Sequence, residues 1–253
     1  MQGKEQSFLS HIAKVLGRDK PLTSAPNRDE VGPPVFWKEQ KFDINQPLEF
    51  FKTNLENLTG KVYIARDDQD AGQQIRVWLE ELEAKKVIMW DHEELKQIVH
   101  LEDTNIKLDY WSPDRSQKDL ITAAEQADVG ITWVDYAIGY TGTLALFSSP
   151  TQGRSVSLLP TVHIAVFRKD NLVPTMSTVM ENLMERRSTQ KVPAAIDFIT
   201  GPSRTSDIEM DLSIGVHGPV KVWTIVIEQS GNVQHHDEMR EELPLEKDEV
   251  LYT

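Results

Sequence analysis

The chain has 253 residues, 39% of them hydrophobic and 26% charged, which is ordinary usage for one large domain or one domain with appendages. Its 27 Lys and Arg against 40 Asp and Glu give a formal net charge of -13, which argues against general nucleic-acid binding, because a phosphate backbone needs a basic footprint. With no cysteine the chain forms no disulfide and supplies no thiolate to a zinc or iron–sulfur site.

An amphipathic helix is predicted over Glu5–Leu16, with Phe8, Leu9, Ile12, Val15 and Leu16 on one face and Gly17 as its stop. No signal-peptide pattern is read there, and no stretch approaches the ~18 apolar residues of a membrane span. The cytoplasm is the expected compartment. Arg18–Trp37 is rich in proline and polar residues and reads as an extended tether. A second helix is predicted over Leu48–Leu58, stopped by Gly60.

From Lys61 strands and helices alternate: strand Lys61–Ala65, helix Asp70–Lys86, strand Val87–Trp90, helix His92–Val99, helix Ser116–Asp128 and strand Val129–Val134. Such alternation means βαβ units and a largely parallel sheet. Next come Thr143–Ser149, Ser155–Leu159 and Val162–Phe167, three strands separated by Gly/Pro turns and no helix. They predict an antiparallel or mixed region inserted on one side of the sheet. A helix over Ser177–Arg187, a strand over Ala195–Thr200 and a last strand over Val220–Glu228 follow. The expected organisation is an N-terminal helical arm and tether at 1–59, an α/β domain with a Rossmann-like mixed sheet and flanking helices at 60–228, and an acidic tail at 229–253.

The segment from Thr200 to Pro219 carries the densest signal. Gly201-Pro202 closes an apolar strand, and Ser206-Asp207-Ile208-Glu209 fits a capping box. The loop is therefore expected to bring a helix N-terminus to the carboxyl edge of the sheet, where open α/β folds bind ligands. Free N–H groups at such a terminus favour anions. Ser203, Arg204 and Thr205 add two hydroxyls and one fixed positive charge. Two readings stand side by side. Either the box caps a helix and Arg204 neutralises Asp207 and Glu209, or the loop cradles the carboxylate or phosphate of a small anionic ligand.

Gly142, between Thr141 and Thr143, leaves room for a ligand close to the backbone, and Gly142 with Thr143 is the expected opposite wall. Asp135 directly follows a strand and suits a structural or a site role equally. Arg154, in a turn with Gly153, and His217, between Gly215 and Gly218, are secondary candidates. His163 lies in an alternating apolar run and reads as a core histidine. Met176, Met180 and Met184, spaced by four, read as the core-facing stripe of a helix. The two phosphate fingerprints, the HExxH motif and the EF-hand loop are absent, and His235–Glu238 reads as solvated charge, so no metal and no cofactor is assigned.

Taken together, "ADVGIT" (Ala127–Thr132), "TGTL" (Thr141–Leu144), "GRSVSLLPTVHIAV" (Gly153–Val166), "GPSRTSDIE" (Gly201–Glu209) and "GVHGP" (Gly215–Pro219) resemble, in order and spacing, the LUD (lactate utilization) domain family. The resemblance implies a fold related to the sugar-phosphate isomerase, CoA-transferase and folate cyclo-ligase group, with ligands at strand ends. It implies a subunit of a bacterial system that oxidises L-lactate to pyruvate, in which sister proteins bearing cysteine motifs hold the iron–sulfur clusters. Many LUD domains carry a glutamate just before "TGT". This chain has Tyr140 there, after Gly139, and lacks that carboxylate. Two other functions fit the same residues: a stand-alone enzyme binding a nucleotide, folate or CoA ester at the strand ends, or a non-catalytic interaction subunit that docks through Glu5–Trp37.

Overall fold

The computed structural model describes residues 2–22, 24, 46–189, 192–206, 212–215 and 217–229. The chain divides into two units, 1–42 and 43–253. The first contains helix α1 (Gln2–Val15). The rest of the architecture belongs to the second, and the acidic tail beyond residue 229 lies outside the described residues.

Helix α2 (Pro47–Asn57) opens the second unit. Pro47 sits in its first turn, where a missing N–H costs nothing, and Leu48, Phe51 and Leu55 line up along its buried face. Then come β1 (Lys61–Ala65), α3 (Asp68–Glu81), β2 (Lys86–Trp90), α4 (Glu93–Ile98), β3 (Lys107–Trp111), α5 (Gln117–Glu125) and β4 (Val129–Trp133). The helices start where the sequence offers caps. The Asp67 carboxylate accepts the Asp70 N–H at 2.8 Å, and Ser116 Oγ accepts the Asp119 N–H at 3.2 Å.

Beyond β4 lie β5 (Tyr136–Ile138), β6 (Thr143–Phe147), α6 (Ser155–Leu158), β7 (Val162–Arg168), β8 (Leu172–Val173), α7 (Met176–Thr189) and β9 (Ile196–Ile199). The hairpin strands β10 (Arg204–Ser206) and β11 (Leu212–Ile214) and the long β12 (Lys221–Ile227) complete the described chain.

Six strands form an all-parallel sheet in the order β1-β12-β7-β4-β2-β3. Its inner strands are near-continuous apolar runs, as a sheet covered on both faces requires. β7 is buried along its whole length. On one face Trp78 of α3 packs edge-on against Tyr63 and Trp223, with ring centroids 6.5 and 5.2 Å away. A second sheet, β8-β5-β6-β9, buries Leu144 and Leu146 toward the main core. It turns Ala145 and Phe147 toward Val179 and Leu183 of α7.

Several expectations change. Ser155–Leu158 is a helical turn, not a strand: Ser-Val-Ser-Leu-Leu is too short for its pattern to separate the two, and Pro160 follows it. β7 is not part of an insertion but a central strand of the parallel sheet, flanked by β12 and β4. β3, with its alternating Lys-Leu-Asp-Tyr-Trp, was not expected as a strand. It is an edge strand, so only part of each side chain is covered. The methionine stripe faces outward. Met176, Met180 and Met184 are 36%, 38% and 74% exposed, while Val179 and Leu183 one residue earlier in each turn face the core.

Gly130 on β4 shows how closely α6 lies on the sheet. A Cβ there would stand 1.8 Å from the Val156 carbonyl oxygen. Backbone cannot rotate away as a side chain does, so Gly130→Ala should destabilise the fold by about 1–3 kcal/mol or more. A lowered urea midpoint is the expected result, and an unchanged midpoint would show that α6 does not lie this close.

Candidate functional site

β9 is not a strand of the parallel sheet. It pairs antiparallel with β6, with Ile199 opposite Leu144, so the loop that follows starts from the second sheet. The Ser203 N–H donates to the Pro219 carbonyl at 3.0 Å, and the Val220 N–H to the Thr161 carbonyl at 2.9 Å, just ahead of β12 and β7. The loop therefore lies at the amino edge of the parallel sheet, opposite the edge expected from the sequence. Arg204, Thr205 and Ser206 pair as strand residues with Ile214, Ser213 and Leu212. The remainder of the Ser206–Glu209 capping box lies outside the described residues.

Arg204 stays exposed, and its guanidinium donates to the Leu58 carbonyl and, at 3.4 Å, to Thr59 Oγ1. This is a cation on the last carbonyls of α2, a favourable end for positive charge. Ser203 accepts the Gly215 N–H at 2.9 Å through its carbonyl, which brings the turn bearing exposed His217 beside it.

Gly142 adopts a left-handed φ of 62°, and a Cβ there would stand 2.6 Å from the Leu55 nitrogen. The close approach that needs a glycine is thus made by α2. Asn54, one turn before the end of that helix, donates to the Gly139 and Tyr140 carbonyls at 3.2 and 2.8 Å. Gly201 comes up against the same helix, since a Cβ on it would lie 3.1 Å from Leu58 Cβ. Thr143 is buried in a run of three hydroxyls, 2.7 Å from Thr141 Oγ1 and 2.8 Å from Thr200 Oγ1. Gly142, Thr143, Ser203 and Arg204 therefore gather around the last turns of α2.

Arg154 stands apart from that group, paired with Asp197 of β9 through Nε at 2.9 and 3.0 Å and Nη2 at 2.7 Å. Asp135 lies at the opposite edge of the sheet, just past β4. Its Oδ2 accepts the Phe147 N–H at 2.8 Å. Burial pushes its carboxyl up to about 6, against the Phe147 N–H and the charge of Arg186, which favour the ionised form. His163 is fully buried and shares a 2.8 Å hydrogen bond with Thr132, and burial drives its imidazole down to about 3, a neutral core histidine.

The carboxyl edge holds a cluster that the sequence reading did not name. Arg168, the last residue of β7, is only 7% exposed. It binds Asp68 at 2.8 and 3.1 Å, Glu94 at 3.1 Å through Nε, and the Gln229 carbonyl at 3.3 Å. Its guanidinium stands 5.9 Å from the Trp133 ring, on which His92 stacks with centroids 5.3 Å apart. Asp68 and Glu94 lie in the first turns of α3 and α4, where the helix dipole also favours carboxylates. His92 Nδ1 is buried with no hydrogen-bond partner among the described residues. Burial lowers its affinity for a proton, while Glu94 and Glu93 oppose that shift. The only trace in the sequence is an arginine ending a run that is apolar but for His163.

Residues 48–227 match the family model of the LUD domain. A lactate utilization protein C from Halalkalibacterium halodurans is 34% identical over 229 residues, which cover 89% of this chain and 98% of the relative. One from Shouchella clausii is 33% identical over 228 residues, 88% and 96% of the two chains. The chain belongs to the LUD domain family. The crystal structure of a DUF162 family protein from Deinococcus radiodurans covers 74% of this chain and 99% of its own, with a TM-score of 0.55 at 20% identity, a likeness of fold.

The LUD match opens at Leu48 inside α2 and closes at Ile227, the end of β12. Among the described residues of this LUD protein no helix is long and apolar enough to cross a membrane, and no group of three or more His, Asp or Glu is placed to hold a metal ion.

Asp135 gives a sharp test of the carboxyl edge. Its carboxyl prefers its proton more in the fold than in the unfolded chain, so its contribution to stability is full below about pH 4 and is lost as pH rises through 6. Asp135→Asn should therefore be more stable than wild type at pH 7.5, by on the order of 2 kcal/mol, and equal to it near pH 4. Urea midpoints at the two pH values measure this. A variant weaker than wild type at pH 7.5 would show that the ionised carboxylate is the form the fold needs.

Proposed function

We propose that this LUD protein is a cytoplasmic subunit of a bacterial L-lactate utilization system and supports oxidation of L-lactate to pyruvate beside iron–sulfur partner proteins. The observation that carries the reading is the end-to-end similarity to relatives named lactate utilization protein C, at 34% and 33% identity over nearly their whole length. The oxidation takes two electrons and two protons from lactate. A chain with no cysteine furnishes no thiolate to an iron–sulfur cluster, so the reading gives those clusters to partners.

Lactate and pyruvate are both carboxylates, and the group around the end of α2 is where this chain would meet one. Exposed Arg204 is the anion contact in this reading, with Ser203 and Thr205 beside it in the chain, His217 on the adjoining turn, and Gly142 and Thr143 across α2. Arg154, held by Asp197, and Asp135, at the opposite edge of the sheet, act at a distance from that contact.

A deletion strain given L-lactate as sole carbon source should fail to grow and should recover with the wild-type chain, which should also co-purify with iron–sulfur proteins. Arg204→Ala, checked for intact fold by circular dichroism, should restore growth poorly. Undiminished growth of the deletion strain on lactate would overturn the function, and full rescue by Arg204→Ala would overturn the anion contact alone.

A further inference from the structure

A cavity of about 270 Å³ opens between the edge strand β3, the start of β2 and helix α5, and shares no residue with the group around α2. Three cations from three segments line it: Lys86 at the start of β2, Lys107 at the start of β3 and Arg115 ahead of α5. Their partners leave positive charge in excess. Lys107 Nζ lies 3.1 Å from one oxygen of Asp109, and Arg115 Nη1 lies 3.6 Å from the other, so one carboxylate serves two cations. Lys86 Nζ donates at 3.2 Å to Gln126 Oε1, a neutral group. The second carboxylate of the lining, Asp119, already accepts the Ser116 hydroxyl at 2.7 Å in the first turn of α5.

Three cations thus face two carboxylates on a molecule with a formal net charge of -13. Val87, Ala123 and Ala127 form the apolar part of the lining. The small side chains of Ala123 on α5 and Ala127 just past its end keep the space open beside the three cations, where charge-assisted bonds to an anion can form. Stabilising a surface needs no such concentration of like charge beside a cavity, because exposed ion pairs contribute little.

We propose that this cavity binds a small metabolite through an oxyanion, carboxylate or phosphate, held by Lys86, Lys107 and Arg115. Asp109 occupies Lys107 and Arg115 until the ligand's oxygens replace it. The proposal does not depend on the lactate reading.

The test is titration of the full chain with inorganic phosphate and, separately, with malonate, at constant ionic strength, followed by amide chemical shifts. Saturable shifts at Lys86, Lys107 and Asp109 are expected. A stronger response to phosphate marks a phosphorylated ligand, and a stronger response to malonate marks a dicarboxylate. Replacing Lys86, Lys107 and Arg115 by alanine should weaken binding at least about tenfold with the fold intact. Asp109→Asn, which removes the competing carboxylate, should tighten it. A merely structural role for Asp109 predicts no gain. No saturable shift with either anion, or weaker binding in Asp109→Asn, would overturn the site.

Discussion

Phe51 meets Phe167 edge to face, with ring centroids 5.4 Å apart, and this contact seats helix α2 on the central strand of the parallel sheet. Everything at the amino edge is arranged around the helix so placed. Leu55 fills the space that glycines 60 and 142 leave open, Asn54 holds the carbonyls of Gly139 and Tyr140, and Leu58 takes the Arg204 guanidinium. A loop leaving β9 and a turn entering its neighbour β6 meet on one helix. Gly142 permits that fit twice over, since its left-handed φ suits a glycine and any Cβ there would meet the Leu55 nitrogen.

The two ends of the parallel sheet are consequently built from different chemistry. At the carboxyl edge a nearly buried guanidinium is surrounded by carboxylates and ring faces, and its partners come from the first turns of two helices. Removing such a charge from water is tolerable only because Asp68, Glu94 and the Gln229 carbonyl meet its donors. At the amino edge Arg204 remains exposed, and its partners among the described residues are a backbone carbonyl and a hydroxyl oxygen. The molecule carries excess negative charge, yet Arg154, Arg168 and Arg204 each meet a specific set of oxygens.

Much of the fold was legible in the sequence. Lys61–Ala65 was placed to the residue because a short β-branched run between a glycine and a charged cap has few other solutions. The capped helices α3 and α5 were legible as helices, with ends that differ from expectation by one to five residues. Sheet membership was not legible. Val162–Phe167 and Ala195–Thr200 look alike as apolar runs, but one is the middle of the parallel sheet and the other an edge of the second sheet. That misplacement carried the Ser203–Thr205 loop to the wrong edge. The Arg168 cluster was invisible for a related reason: its partners Asp68 and Glu94 lie 100 and 74 positions away, and only the parallel crossovers bring them together. Family resemblance, by contrast, was readable because it rests on the order of short motifs, which needs no three-dimensional knowledge.

Helix α2 is the element on which the account turns, since it fills the slot between Gly142 and Gly201 and anchors Arg204. Native-state hydrogen exchange of its amides tests this most directly. The account predicts that the amides of Phe51 and Leu55 are protected to the level of β7 and β12, opening only with global unfolding. Exchange of these amides orders of magnitude faster than β7, as for a helix merely laid on the surface, would contradict it.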